Sequence, residues 1–129
     1  MNDNTVQEIA RKLRHAEEEH ELLPNLTNQF PDLTHDEARR IATAHDELRR
    51  RAGELQLGYK LGWTSTAMRE ALGIAQPNWG TLWHGMKLGA ECSAKAFVHA
   101  KAEPEIAFVV GHALGAEVSA TQVLESGGR

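Results

Sequence analysis

The hydrophobic period changes once along this chain, near Leu55, and that change limits the folds open to it more than any other feature. Before it, apolar residues recur at three- and four-residue spacing, the mark of helices that bury one stripe. Val6, Ile9, Ala10, Leu13 and Ala16 form the first stripe, which runs out near Leu22, Leu23 and Pro24. Ala38, Ile41, Ala42, Leu48, Ala52 and Leu55 form the second. It has a clear start, because Thr34 followed by Glu37 is a capping-box pattern. Beyond Leu55 the pattern alternates, with Leu57, Tyr59, Leu61 and Trp63 facing one way and Gly58, Lys60 and Gly62 the other. The expected class is therefore α+β, with a helical segment over residues 1–55 and a β-rich region over residues 56–129.

Within the β-rich region, residues 64–72 read as a short helix, with a hydroxyl cap among Thr64, Ser65 and Thr66 and Gly73 as its stop. The string from Gln76 to Gly80 reads as a turn. Strands are expected at residues 81–86, 91–99 and 105–111. The tail, from Ser126 to Arg129, reads as an unstructured end.

Charge is concentrated in the helical segment, and fourteen basic against eighteen acidic residues leave a net charge of −4. No Lys/Arg cluster is dense enough to neutralise a phosphate backbone, so nucleic acid is not an expected partner. The run Glu17 to Glu19 reads as a wet helix face. Arg39, Arg40, Glu47, Arg49 and Arg50 lie on the far side of the second helix; they could form an anionic-ligand site, but the acids interspersed among them favour a charged surface. Apolar runs are short and the first residues are polar, so neither a membrane span nor a secretory signal is expected, and the protein should be cytoplasmic. The single cysteine, Cys92, reads as a buried inert thiol in a small-residue strand.

Two features could carry chemistry. Lys60 is the one charge on its strand, with a glycine two positions away on either side. The missing side chains leave a hollow in which a ligand's carbonyl or carboxylate could reach the amine, and desolvation there would lower the lysine's pKa. On spacing alone, a strand lysine facing solvent is favoured. The second feature is Glu103-Pro104-Glu105, leading into Ile106, Ala107, Phe108, Val109 and Val110. In an extended chain these carboxylates point the same way, about 6.6 Å apart, and can converge on one hard cation. The same string is common in exposed loops. Seven histidines show no metal-binding spacing, and His99 is a surface histidine first and a neighbour of the two acids second. No nucleotide, dinucleotide or serine-hydrolase motif occurs.

Taken together, Gly58-Tyr59-Lys60-Leu61-Gly62-Trp63-Thr64-Ser65, Ala67-Met68, Leu72-Gly73-Ile74, Pro77-Asn78-Trp79-Gly80 and Glu103-Pro104-Glu105-Ile106-Ala107-Phe108-Val109 resemble one family. It is the 2-keto-4-pentenoate hydratase and 4-oxalocrotonate decarboxylase branch of the fumarylacetoacetate hydrolase superfamily. The resemblance implies a mixed β-roll behind the helical segment, with residues 56–129 as the N-terminal, apparently truncated part of the catalytic domain. It implies Mg2+ or Mn2+ held by Glu103 and Glu105, the first two family ligands, with a third carboxylate in a later strand that neither Glu117 nor Glu125 matches. Lys60 matches the active-site lysine, and Asn78 stands where many members carry an acid, leaving it polar positioning of substrate. The implied reaction is hydration of 2-hydroxypenta-2,4-dienoate-like acids in aromatic catabolism, by a homo-oligomer in the full-length family. Two alternatives are decarboxylation of 2-oxo-hexenedioate and a non-catalytic fragment that associates with a full-length relative.

Overall fold

The computed structural model describes residues 1–127. Its elements are α1 (Asp3–Glu18), α2 (Leu26–Gln29), α3 (His35–Arg51), β1 (Gln56–Gly62), α4 (Thr66–Leu72), β2 (Asn78–Trp83) and α5 (Ala120–Glu125), with single 3-10 turns at His84–Met86 and Ala94–Ala96. Helix and strand both occur, as the change of period predicts.

The helix ends follow from local chemistry. Asn2 caps α1 by accepting from the Thr5 amide, and Thr34 caps α3 in a complete capping box with Glu37. Three arginines close the last turn of α3, where a cation suits the helix dipole. Ser65 caps α4, and Gly73 ends it in the left-handed region at φ 67°, a conformation a side chain would disfavour.

Ion pairs at both ends show how α1 and α3 lie. Near their starts, Arg40 reaches Asp3 at 2.6 Å and the terminal amine reaches Glu37. Near their ends, Glu17 meets Arg49 and His45. The two helices therefore run side by side in the same direction, and the connection through α2 returns between them. Val6, Ile9, Ala10, Ile41 and Ala44 form the buried core, flanked by Leu13, Leu26, Phe30, Leu33 and Leu48. The stripe of α3 passes through Ala44, whereas Ala38 and Ala42, expected in it, are exposed. Alanine is small enough to sit on either face, so it reports helical phase poorly.

At 100° per residue, Ile41, Ala44 and Leu48 project from one side of α3, and Arg39, Asp46 and Arg50 from the opposite side. That second side is not the free charged surface expected from the sequence. Arg39 stacks 3.6 Å above the Trp79 ring, Asp46 accepts from Thr81 Oγ1 at 2.5 Å, and Arg50 lies 5.7 Å from the Trp83 ring. α3 is thus a middle layer, with α1 on one side and β2 on the other. Arg49, between the two faces, is 5% exposed. It is held by Glu17 and, at 2.5 Å, by Glu54, while Arg14 also reaches Glu54 at 2.7 Å.

β1 and β2 pair antiparallel, with Tyr59 opposite Thr81, Lys60 opposite Gly80, Leu61 opposite Trp79 and Gly62 opposite Asn78. The expected strand at residues 81–86 begins three residues earlier and gives way to the 3-10 turn after Trp83, so Asn78, Trp79 and Gly80 belong to a strand instead of a turn. Pairing with β1 overrides their turn propensity. The strands expected at residues 91–99 and 105–111 do not form. A strand needs a neighbouring ladder, and in the second stretch only Val110 finds one, in an isolated bridge to Gly127. Ile106 is 99% exposed. Cys92, expected buried, is exposed for the same reason. Of the expected unstructured tail, Ser126 is buried and donates to the Val123 carbonyl at 2.6 Å, and Gly128 and Arg129 lie outside the described residues.

Two outcomes follow. Arg49→Met should lower stability by about 2 kcal/mol in urea denaturation, below the 3–5 kcal/mol for a fully buried pair because both carboxylates stay partly wet and keep Arg14 nearby. Hydrogen bonds from the terminal amine and from Thr34 lower the Glu37 pKa from 4.5 to about 2. A depressed carboxylate pKa contributes stability that is complete above about pH 4.5 and lost as pH falls through about 2. Glu37→Gln should therefore flatten the acid limb of the stability profile across that window.

Candidate functional site

The alternation of the ribbon sorts its residues onto two faces. Tyr59, Leu61, Trp79 and Thr81 share the face on which α3 lies; Gly58, Lys60, Gly62, Asn78, Gly80 and Leu82 share the other. Docking α3 on the first face leaves Lys60 on the second.

Glu103 and Glu105 come to that second face. Lys60 Nζ donates to Glu105 Oε1 at 2.6 Å, across 45 positions of sequence, and lies 3.2 Å from Glu103 Oε2. The two carboxylates thus converge on the Lys60 ammonium, although the segment between Lys101 and Val109 has no regular structure. All three side chains are about half exposed.

The structure corrects one expectation about Lys60. Its pKa is raised, not lowered, because the hydrogen bonds the ammonium donates to Glu105 and then Glu103 hold its charged form, and these outweigh desolvation. The hollow around it also differs from the one drawn from glycine spacing. A Cβ added at Gly58 or Gly80 would meet open space, but one at Gly62 would collide with Asn78 Oδ1. The Asn78 side chain therefore fills the Gly62 side of the hollow, diagonal to Lys60 and roughly 7–8 Å away. The hollow stays open toward Gly58 and Gly80.

Oxygen donors converging on a cation match what a hard divalent ion takes. Among the described residues no group of three or more His, Cys, Asp or Glu is gathered, so a cation held by this pair would have to draw the rest of its shell from elsewhere. Neither Glu117, which holds a left-handed φ of 62°, nor Glu125 forms an ion pair among the described residues. His99 is exposed. Sequence reading missed the anchors behind the site, Arg39, Asp46 and Arg50. The available signal was the i, i+7, i+11 spacing of Arg39, Asp46 and Arg50 against the alternating Trp79, Thr81 and Trp83.

No family model matches the chain. The 2-keto-4-pentenoate hydratase of Paraburkholderia phymatum is 32% identical over 118 residues, covering 90% of this chain and 45% of that protein. A 4-oxalocrotonate decarboxylase from a Pseudomonas species is 30% identical over 123 residues, covering 92% and 47%. The chain is a relative of these enzymes and matches the N-terminal half of their family. It spans about half the length of the curated relatives it matches. The 4-oxalocrotonate decarboxylase of Pseudomonas putida G7, solved with magnesium and adipate and again with calcium and acetate, superposes with a TM-score of 0.61 at 25% identity. That match covers 64% of this chain and 32% of the solved one. Among the described residues no helix is long and apolar enough to cross a membrane.

The packing of Asn78 over Gly62 generates a prediction. Gly62→Ala should cost little stability, since the colliding atom ends a side chain that can rotate, yet it should swing Asn78 away and shift the Asn78 side-chain amide resonances. Gly80→Ala, with open space at its Cβ, should leave them in place.

Proposed function

We propose that this chain supplies Lys60, Glu103 and Glu105 to a divalent-metal-dependent site acting on 2-hydroxypenta-2,4-dienoate-like acids, as a hydratase. Residues 1–55 form a helical segment, and residues 56–129 form the first part of a β-roll catalytic domain of the fumarylacetoacetate hydrolase type. The observation that carries this reading is the meeting of a strand lysine with two carboxylates 43 and 45 positions away on the bare face of the ribbon. The named hydratases among its relatives support the reaction, and the magnesium and calcium in the solved decarboxylase support the cation.

Glu103 and Glu105 would hold Mg2+ or Mn2+, which when bound supplies Lewis-acid charge for the carboxylate and 2-oxo end of the substrate. Lys60, a primary amine on the outward face of its strand, suits hydrogen-bond donation from its ammonium to that oxygen end. It would share the negative charge that develops as the dienol rearranges to the oxo form. Gly58 and Gly80 leave room for a small acid beside the ammonium, and Asn78 offers an amide on the same face to orient substrate or water. Hydration then adds water across the remaining double bond to give a 4-hydroxy-2-oxo acid.

The same charge sink serves loss of carbon dioxide from a vinylogous β-keto acid, and the likeness to the solved decarboxylase favours 2-oxo-hexenedioate as the second reading. Product analysis with each acid in the presence of Mg2+ separates the two. A chain that binds the metal and transforms neither acid fits the non-catalytic alternative, a fragment acting through a full-length relative.

If the two acids are ligands, millimolar Mg2+ or Mn2+ should raise the melting temperature, because an ion bound only by the folded chain stabilises it. Glu103→Ala combined with Glu105→Ala should remove that rise. An undiminished response in the double variant would refute the metal assignment.

A further inference from the structure

The carboxylate pair assigned above to a divalent cation is already half neutralised in the structure by the chain's own ammonium. Lys60 Nζ sits 2.6 Å from Glu105 and 3.2 Å from Glu103, where a shared ion would draw both acids. An ammonium is a compact charge on a flexible four-carbon stem, so it can fill a cation position and also leave it. Its path is set by the ribbon. Asn78 blocks the Gly62 side, whereas the space at Gly58 and Gly80 is open. All three partners are about half exposed, so water can replace each ion pair as it opens.

We propose that Lys60 is an internal counter-ion that a divalent cation must displace from Glu103 and Glu105, and that the displaced ammonium turns toward Gly58 and Gly80 to meet an anionic substrate. With the ammonium in place the three groups carry a net charge of −1, which repels an organic acid. With a divalent ion between the acids the local charge becomes +1, which attracts it. Metal loading thus both frees the lysine and reverses the sign of the site, so cation binding precedes acid binding. The inference rests on the metal reading of Glu103 and Glu105, and its test separates the two.

Mn2+ is titrated into the 129-residue chain and its variants, with free ion followed by electron paramagnetic resonance. Each exposed ion pair is worth a factor of a few, so Lys60→Met and Lys60→Gln should each bind Mn2+ roughly three- to tenfold more tightly than the parent. Lys101→Met, which removes a nearby charge that pairs with neither acid among the described residues, should leave affinity unchanged. In the parent chain, Mg2+ should shift the Lys60 Cε resonance, and Glu103→Gln with Glu105→Gln should abolish that shift. Unchanged or weaker Mn2+ binding in both Lys60 variants, equal tightening by Lys101→Met, or a Cε resonance indifferent to Mg2+ would overturn the counter-ion role while leaving the metal site standing. No Mn2+ binding by the parent and Lys60 variants alike, or full binding by the double glutamine variant, would overturn the metal reading and this inference with it.

Discussion

A two-stranded ribbon has too little surface to be stable in water by itself, so its persistence depends on whatever covers one of its faces. Here α3 touches one face at points, by arginine over tryptophan and by a carboxylate on a threonine hydroxyl, and leaves Tyr59, Leu61 and Trp79 of that face more than half exposed. Such contacts tolerate partial exposure better than an aliphatic seam would, because the guanidinium keeps its hydration on one side while its plane covers the ring. Trp83, 1% exposed, marks where the seam becomes dry. Arg49 sits beside it, 5.6 Å from the same ring, and ties α1 and the turn into β1 to the same point through Glu17 and Glu54.

Fixing one face of the ribbon determines what the other can do. Period-2 alternation means that whatever packs on Trp79 and Thr81 leaves Lys60, Asn78 and three glycines outward. The outward face is therefore poor in side chains and open to a small molecule, while the lysine is positioned by a strand whose register is pinned from behind. Glu103 and Glu105 complete the arrangement by charge. Their segment has no ladder of its own, and the ion pairs to Lys60 are the contacts that bring it to the ribbon. A lysine so paired stays cationic.

Between Lys87 and Ser119 the chain has apolar residues without apolar cover. Ile106 and Val109 stand 99% and 71% exposed, and the Val110 bridge to Gly127 is the one ladder contact there among the described residues. The stretch around Glu105 reads as a strand by composition and is irregular in fact. Strand formation is cooperative across chains of backbone, and propensity without a partner does not supply the missing hydrogen bonds.

Much was legible from the residues themselves. The helices, the capping box of Thr34 and Glu37, the Ser65 cap, the Gly73 stop and the alternation through Lys60 are local features, encoded by spacings of two to four residues that act before any distant contact forms. The resemblance carried by the strings around Lys60, Asn78, Glu103 and Glu105 was legible as well, because a contiguous motif is matched without knowledge of the fold. The tertiary structure alone decided that Arg49 is buried, that Arg39 and Arg50 meet tryptophans, that no strand forms over residues 91–99 and 105–111, and that the Lys60 ammonium rests between Glu103 and Glu105 with its pKa raised. Each of these depends on which group lies opposite in space, and long-range partners, unlike helix caps, leave no fixed spacing along the chain.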